Sequence, residues 1–185
     1  MIRFQFNEIK TTQAAAFFLK HSDGKLNYMK LIKLLYLADR EALHLWERPI
    51  TGDSYFSMDR GPVLSSVLDK INSGKAPRLE SFWHKHISDP ANFSVRMKQD
   101  PGTDELSKRE RELLLKIFHK YEKFDQWEMV EICHKSLPEW EDPRGTSIPI
   151  RVDDIFKALN KTEREIAIIE DEVANLDYVK AALSQ

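Results

Sequence analysis

The sequence predicts a mainly α-helical protein: a compact helical bundle around one central apolar helix, with a small antiparallel β-hairpin and a C-terminal helical extension. Three observations support this fold class. Most apolar residues recur at the three- and four-residue spacing of amphipathic helices. Two short runs with β character lie close together, within residues 82–98. The central helix, at about residues 26–46, is apolar over more than half of its circumference, so several neighbouring elements must cover it.

Length and composition are typical of a soluble globular protein. The chain has 185 residues, of which 42% are hydrophobic and 31% charged, and its net charge is −2. A charge this close to zero gives no basic surface for nucleic acid, so we do not expect DNA binding. A single cysteine excludes an internal disulfide, and no apolar run reaches the ~20 residues of a membrane span. We expect a cytoplasmic protein with no membrane association and no cofactor.

The elements of the first half follow from their caps and breaks. Asn7 can cap a first helix that runs to about His21. The central helix follows and ends at Arg48, because the residue before Pro49 is disfavoured in the helical conformation. We expect Pro62 to open a third helix, since proline is favoured in the first helical turn.

The second half begins with the predicted hairpin, whose two strands are residues 82–87 and 93–98. Ser107 and Glu110 form a capping-box pattern, which predicts the start of a long amphipathic helix. A shorter helix follows at about residues 126–136, and an irregular segment with several prolines comes after it.

The C-terminal part is predicted to be a separate unit. We assign residues 1–150 to one domain and residues 151–185 to a helical extension that packs on the domain or on a partner. Thr162 and Glu165 form a second capping box that opens the final helix. The apolar stripe of this helix is narrow and its outer face is acidic, which is typical of a helix at a domain edge or on a partner.

One residue interrupts the apolar face of the central helix. Asp39 projects into the middle of that face, where an unpaired carboxylate is costly. We expect it to accept hydrogen bonds from residues 51–53, or to pair with His134 or an arginine. The alternative is a functional carboxylate with a raised pKa, in a small metal-dependent hydrolase that also uses Asp53 or Asp59.

Other combinations of reactive side chains give weaker signals. Cys133 and His134 are neighbours on a helix, where their side chains point about 100° apart, so we interpret the cysteine as structural. His84 and His86 share one face of a predicted strand, but no third ligand lies at a familiar spacing, and zinc needs three or four. We therefore predict no catalytic residues, no metal site and a protein that is not an enzyme.

Three blocks of the sequence resemble the Panacea domain family. They are KLIKLLYLADR at residues 30–40, PITGD at 49–53 and GPV at 61–63, in this order and at this spacing. The helix start at Ser107 and the segment from His134 to Trp140 resemble the second half of the family. The resemblance implies structural roles for the residues of this motif, which are Lys30, Lys33, Tyr36, Asp39, Arg40, Pro49, Thr51, Gly52, Asp53, Gly61, Pro62, His134 and Trp140.

Members of this family are SocA-like and GepA-type, phage-associated antitoxins encoded beside a toxin. The resemblance implies that the chain is the antitoxin of a type II toxin–antitoxin system, which neutralises a cognate toxin by direct protein–protein binding. The alternative within the family is a proteolytic adaptor that delivers the toxin to a ClpXP-type protease. A homodimer and a heterotetramer with the toxin are both open.

Candidate toxin-binding residues are aromatic side chains expected at the surface and residues of the acidic final helix. Aromatic residues dominate the energetics of protein interfaces. An acidic helix suits a basic toxin, because opposite charges steer association. The candidates are Tyr55, Phe56, Trp83, Glu170, Glu172 and Leu176.

Overall fold

The computed structural model describes residues 1–73 and 81–183, except for the side chains of residues 177, 180 and 181. The described helices are α1 (Glu8–Lys20), α2 (Tyr28–Trp46), α3 (Ser65–Asn72), α4 (Phe82–His86), α5 (Lys108–Tyr121), α6 (Gln126–Ser136), α7 (Val152–Ala158) and α8 (Glu163–Leu183). The described strands are β1 (Lys25–Asn27), β2 (Tyr55–Met58), β3 (Gly61–Leu64), β4 (Ser94–Arg96) and β5 (Ile148–Ile150). The mainly helical fold class is confirmed.

Two small antiparallel sheets accompany the helices. β1 pairs with β4, which places Leu26 opposite Val95. In the other sheet β2 lies between β3 and β5, so that Phe56 faces Val63 on one side and Pro149 on the other. A strand from late in the chain therefore completes a sheet that begins as a local hairpin.

The central position predicted for α2 is confirmed. The helix contacts α1, α3, α5, α6 and α7, and Leu34 and Leu43 are fully buried in the core. The side chain of Asn27 caps its first turn by accepting two backbone N–H bonds. The helix ends at Glu47, which adopts the left-handed conformation with φ 63°.

Three helix starts predicted from local caps are also confirmed. The Asn7 side chain accepts a backbone N–H bond in the first turn of α1. Ser107 and Glu110 exchange hydrogen bonds at the start of α5, as Thr162 and Glu165 do before α8. These predictions hold because each cap joins residues only three positions apart and needs no tertiary contact.

The prediction that Pro62 opens the third helix is wrong, because residues 61–64 extend as β3 against β2. Helix α3 begins after this strand, and its cap comes from a distant loop. The Asp53 carboxylate accepts hydrogen bonds from the N–H groups of Ser66 (3.0 Å) and Val67 (3.1 Å). This remote cap stabilises a helix start that the local sequence does not signal.

The predicted hairpin is wrong in its first half, because residues 82–86 form the short helix α4. Glu8 of α1 accepts hydrogen bonds at the start of this helix, including one from the N–H of Trp83 (3.0 Å). The pairing between the two predicted strands is reduced to an isolated antiparallel bridge between Ile87 and Met97. The second run does contain a strand, β4, but its partner is β1.

The core continues into the C-terminal segment. Ile155 and Phe156 of α7 are buried, and the first half of α8 adds Ile166, Ile169 and Val173 to the same apolar cluster. The narrow stripe predicted for the final helix is therefore packed on this chain over its first half. The domain boundary at residue 150 stays a prediction.

Candidate functional site

The polar motif residues of α2 bind segments that lie far away in the sequence. Lys30 donates through Nζ to the carbonyls of Glu122 (2.9 Å) and Phe124 (2.5 Å), just after α5. Lys33 donates through Nζ to the carbonyl of Pro62 (2.7 Å) in β3. Both lysines are buried, at 8% and 1% exposure, so α2 uses them as internal anchors.

The ammonium group of Lys33 lies in the core without a carboxylate at salt-bridge distance among the described residues. Burial lowers the pKa of Lys33 to about 8. The neighbouring thiol of Cys133 is also buried, which raises its pKa to about 11 and agrees with the structural interpretation of this cysteine. Gly61 has φ 88°, and a Cβ atom there would lie 3.1 Å from Nζ of Lys33, so glycine suits this position.

Tyr36 and Arg40 bind a glutamate that was not among the predicted site residues. The Tyr36 hydroxyl and Nε of Arg40 both donate to Oε1 of Glu139, at 2.9 Å and 2.6 Å. Nη2 of Arg40 donates to Oε2 at 3.3 Å, and the glutamate side chain is 0% exposed. Its only sequence signal is its place beside Trp140 in the segment that resembles the family.

His134 packs against Trp140, whose ring lies 3.9 Å away in a stacked arrangement. Nε1 of Trp140 donates to the carbonyl of Met58 (3.1 Å), which joins this segment to β2. Burial lowers the pKa of His134, and its Nε2 has no hydrogen-bond partner within the described structure. The predicted alternative in which His134 pairs with Asp39 is wrong, because the described donors to Asp39 are Ile50, Thr51 and Tyr55.

Asp39 is fully buried and accepts four hydrogen bonds. Oδ1 accepts from the backbone N–H groups of Ile50 (2.8 Å) and Thr51 (3.0 Å). Oδ2 accepts from the hydroxyl groups of Thr51 and Tyr55, the latter at 2.9 Å. The predicted contact between this carboxylate and the loop is confirmed, although it involves residues 50 and 51 instead of 51–53.

Burial raises the pKa of Asp39 to about 6, against the lowering effect of the bonds from Thr51, Tyr55 and Ile50. Asp53 is occupied in a similar way, since it accepts from three backbone N–H groups. Both carboxylates are therefore engaged in holding loops and helix starts, whereas the third carboxylate of the hydrolase alternative, Asp59, is exposed.

The loop held by Asp39 forms the floor of an open groove of about 800 Å³. We call it the loop groove. Its walls are the N-terminal segment, the end of α2, the start of α5 and the middle of α8. The lining residues are 4–10, 46, 48–52, 107, 109, 110, 173 and 176.

The N-terminal segment lies directly on this loop. The N–H of Asn7 donates to the carbonyl of Thr51 at 3.0 Å. Gly52 has φ 69°, and a Cβ atom there would lie only 2.2 Å from the carbonyl oxygen of Gln5. Any other residue would therefore push the segment away, so Gly52 is required for this wall of the groove.

Charged residues lie in and beside the groove. Arg48 is exposed on one side, and the guanidinium of Arg109 lies 4.6 Å over the ring of Trp46. On the other side, α8 contributes the apolar residues Val173 and Leu176 to the lining, and residues 163–183 as a whole contain six acidic and two basic residues. Glu172 is exposed there, whereas Glu170 contacts the amino group of Met1.

The expected exposure of two candidate toxin-binding residues is wrong. Tyr55 and Trp83 are 2% and 1% exposed, because one bonds to Asp39 and the other fills the core between α1 and α4. Phe56 is half-buried against the core. Of the three candidates on α8, Leu176 is 37% exposed and lines the loop groove, next to Glu170 and Glu172 on the same helix.

The predicted pairing of His84 and His86 on one strand face is wrong, because both lie in α4. Nδ1 of His86 bonds to the carbonyl of Phe82 (2.8 Å), and Nε2 of His84 lies 2.9 Å from the carbonyl of Lys70. In the part of the chain that the structure describes, no group of three or more His, Cys, Asp and Glu side chains could hold a metal ion. No helix within residues 1–73 and 81–183 is long and apolar enough to cross a membrane.

Comparison with known families identifies the region that carries the anchors. The sequence model described as "Antitoxin SocA-like, Panacea domain" matches residues 31–141. The chain belongs to this family. The Panacea region runs from the first turn of α2 to just beyond Trp140, so it contains Asp39, its loop and Glu139. The N-terminal and α8 walls of the loop groove lie outside it. No curated protein and no solved structure matches the chain.

Proposed function

We propose that this protein is the antitoxin of a toxin–antitoxin pair and that it neutralises its cognate toxin by binding it directly. Membership of the SocA-like antitoxin family over residues 31–141 carries this proposal. The geometry agrees with a binding role, since the buried carboxylates Asp39 and Asp53 are engaged in holding loops and helix ends. Binding then acts by masking the surface through which the toxin reaches its target.

The loop groove and the adjoining face of α8 supply the surface for this contact. Leu176, Val179 and Leu183 are exposed and continue the side of α8 whose earlier part is buried. Glu172 lies beside them on a helix with an excess of acidic residues. A basic toxin segment with apolar side chains complements such a surface, because it supplies opposite charge and covers the exposed apolar groups.

Co-expression with the protein encoded by the neighbouring gene tests the proposal, with cell growth and co-purification scored together. We expect growth to be rescued and a stable complex to be recovered. Rescue without a complex, accompanied by disappearance of the toxin, would instead show delivery to a protease. A neighbour that is not toxic, or a toxin that is neither bound nor removed, would contradict the proposal.

The position of the contact has its own test. The double substitution Glu172→Lys and Leu176→Asp should lower toxin affinity at least tenfold while leaving the urea unfolding midpoint unchanged. Glu163→Lys is the matched control, since it reverses the same charge on the same helix about 14 Å away. Equal effects of the two changes would show that general charge, and not this surface, determines the affinity.

A further inference from the structure

The first turns of α2 border another cleft, of about 300 Å³, which shares no lining residue with the loop groove. We call it the α2 cleft. It lies between α2, the turn joining β2 to β3, and α3, and its lining residues are 28, 29, 32, 33, 58–60, 63, 68 and 72. Met29, Ile32 and Met58 give it an apolar lining, and methionine adapts its shape to different ligands.

Exposed aromatic side chains stand around this cleft. Trp127 of α6 is 52% exposed, and the guanidinium of Arg60, a cleft residue, lies 5.3 Å over its ring. Phe93 is 70% exposed, and its ring lies 6.5 Å from that of Tyr28, another cleft residue. Tryptophan, tyrosine, phenylalanine, methionine and arginine are the residue types enriched at the centres of protein interfaces.

The backbone turns one of these aromatic residues outward at an energetic cost. Asn92 and Phe93 both adopt the left-handed conformation, with φ 50° and 58°. Asparagine tolerates this conformation, but for a bulky residue such as phenylalanine it is a genuine outlier. The cost is incurred for an exposed ring at the edge of a cleft, which is a pattern associated with function.

The charged residues that line the α2 cleft are two cations, Lys33 and Arg60, and one carboxylate, Asp59, so the net charge of the lining is positive and favours an acidic ligand. Lys33 and Arg60 are both cationic, and within the described part of the chain neither has a carboxylate partner at salt-bridge distance. The carboxylate of Asp59 accepts a hydrogen bond from the N–H of Gly145 (2.8 Å) and is thereby held toward that turn. Arg60 is the exposed one of these two cations, and Lys33 adds a positive charge beneath the cleft.

The two recognition surfaces are well separated. Tyr28 borders the α2 cleft and Trp46 borders the loop groove, at opposite ends of the same helix. Eighteen residues of helix span about 27 Å. A partner segment bound in one site therefore leaves the other accessible.

We propose that the α2 cleft is a docking site for an acidic peptide segment of a partner protein, distinct from the toxin contact. One large apolar side chain of the segment enters between Met29 and Met58 and packs beside Trp127. Its carboxylates lie over Arg60, within the field of Lys33. The site would let the antitoxin bind a further protein while the loop groove holds the toxin.

Selection from a displayed library of random twelve-residue peptides on the full chain tests this proposal. We expect enriched peptides to be acidic and to contain a Trp, Phe or Leu anchor. Their affinity should fall at least tenfold in Trp127→Ala and in Arg60→Ala. Tyr178→Ala and Arg164→Ala are matched controls, because they remove an exposed aromatic and an exposed arginine from α8 and should leave peptide affinity unchanged.

Several results would overturn the proposal. These are the absence of binding peptides, the enrichment of basic peptides, and affinities that do not respond to Trp127→Ala or Arg60→Ala in variants with unchanged unfolding midpoints. A wild-type dimer in sedimentation that Trp127→Ala abolishes would assign the cleft to a second copy of the chain. Rescue from the toxin is scored separately, and its loss in the cleft variants would make the cleft part of the toxin contact.

Discussion

Asp39→Ala gives the most direct test of how this fold is held together. The substitution removes the acceptor of four hydrogen bonds from a fully buried position. The hydroxyl groups of Thr51 and Tyr55 can rotate, but the N–H groups of Ile50 and Thr51 stay buried and unpaired. At about 1–3 kcal/mol for each buried donor, these two amides alone lower the free energy of unfolding by about 2–6 kcal/mol. This is a large part of the ~5–15 kcal/mol that stabilises a typical domain.

Urea unfolding followed by tryptophan fluorescence measures this loss. Asp39→Asn should lose less than half as much, because its carbonyl oxygen still accepts from both amides. Asp171→Ala, on the exposed side of α8, serves as the control and should stay within about 0.5 kcal/mol of wild type. An Asp39→Ala protein as stable as this control would refute the reasoning. A fully folded Asp39→Asn protein that fails to rescue growth would revive a catalytic role for the carboxylate.

The pH dependence of the same variants gives a second check on Asp39. Its pKa is raised from 3.8 to about 6 in the folded protein, so between these values the folded state binds more protons than the unfolded state. The group therefore contributes stability below pH ~4 that is lost as the pH rises through 6, amounting to about 3 kcal/mol. Wild type should gain stability relative to Asp39→Asn on acidification from pH 7 to 4. A relative loss over this interval would contradict the assigned direction.

Four further predictions concern the other anchors and surfaces. Glu139→Ala should lower the free energy of unfolding by about 3–5 kcal/mol, since it leaves Arg40 and Tyr36 without their buried partner, and a loss below about 1 kcal/mol in urea unfolding would contradict this. Lys33→Met should raise the free energy of unfolding at pH 7. Burying the charged lysine, as its lowered pKa indicates, destabilises the folded state by about 3 kcal/mol, whereas its hydrogen bond to the Pro62 carbonyl stabilises it by only about 1 kcal/mol. Because the pKa of Lys33 is lowered in the folded state, the stability of wild type should increase relative to Lys33→Met as the pH rises from 8 to 10.5. Stability curves of the two proteins that stay parallel over this pH range would contradict the lowered pKa. Phe93→Gly should preserve or increase thermal stability by relieving about 1–2 kcal/mol of left-handed strain, whereas a clear loss would show that the ring is structural. Affinity for the toxin should fall with ionic strength in a salt titration, and an affinity independent of salt would remove the charge-complementarity argument.

Elements governed by local contacts could be predicted from the sequence. The starts of α1, α5 and α8 follow from caps within three residues, and the central position of α2 follows from its wide apolar surface. The partner of Asp39 could be anticipated because a buried carboxylate needs donors and a turn-rich loop follows 11 residues later.

Elements governed by remote contacts could not be predicted in this way. The start of α3 depends on Asp53, and the start of α4 depends on Glu8. Glu8 lies 75 residues before Trp83, whose N–H donates to it. The partner of Arg40 is Glu139, 99 residues further along the chain. Likewise, the sequence around Tyr55 and Trp83 gives no signal that these aromatic side chains are buried in the core and not exposed at a binding surface.

The positions of these partners in the sequence determine when, during synthesis, the contacts of α2 can be completed. The charged groups of α2 bind partners near residues 50, 62, 122 and 139, so their hydrogen bonds are complete only when the chain has been synthesised past the last of these. In a nascent chain that stops before Glu139, Arg40 would lack this counterion while the core is still incomplete. A proteolytic cut in α6 would leave Glu139, the partner of Arg40, on the separate C-terminal fragment.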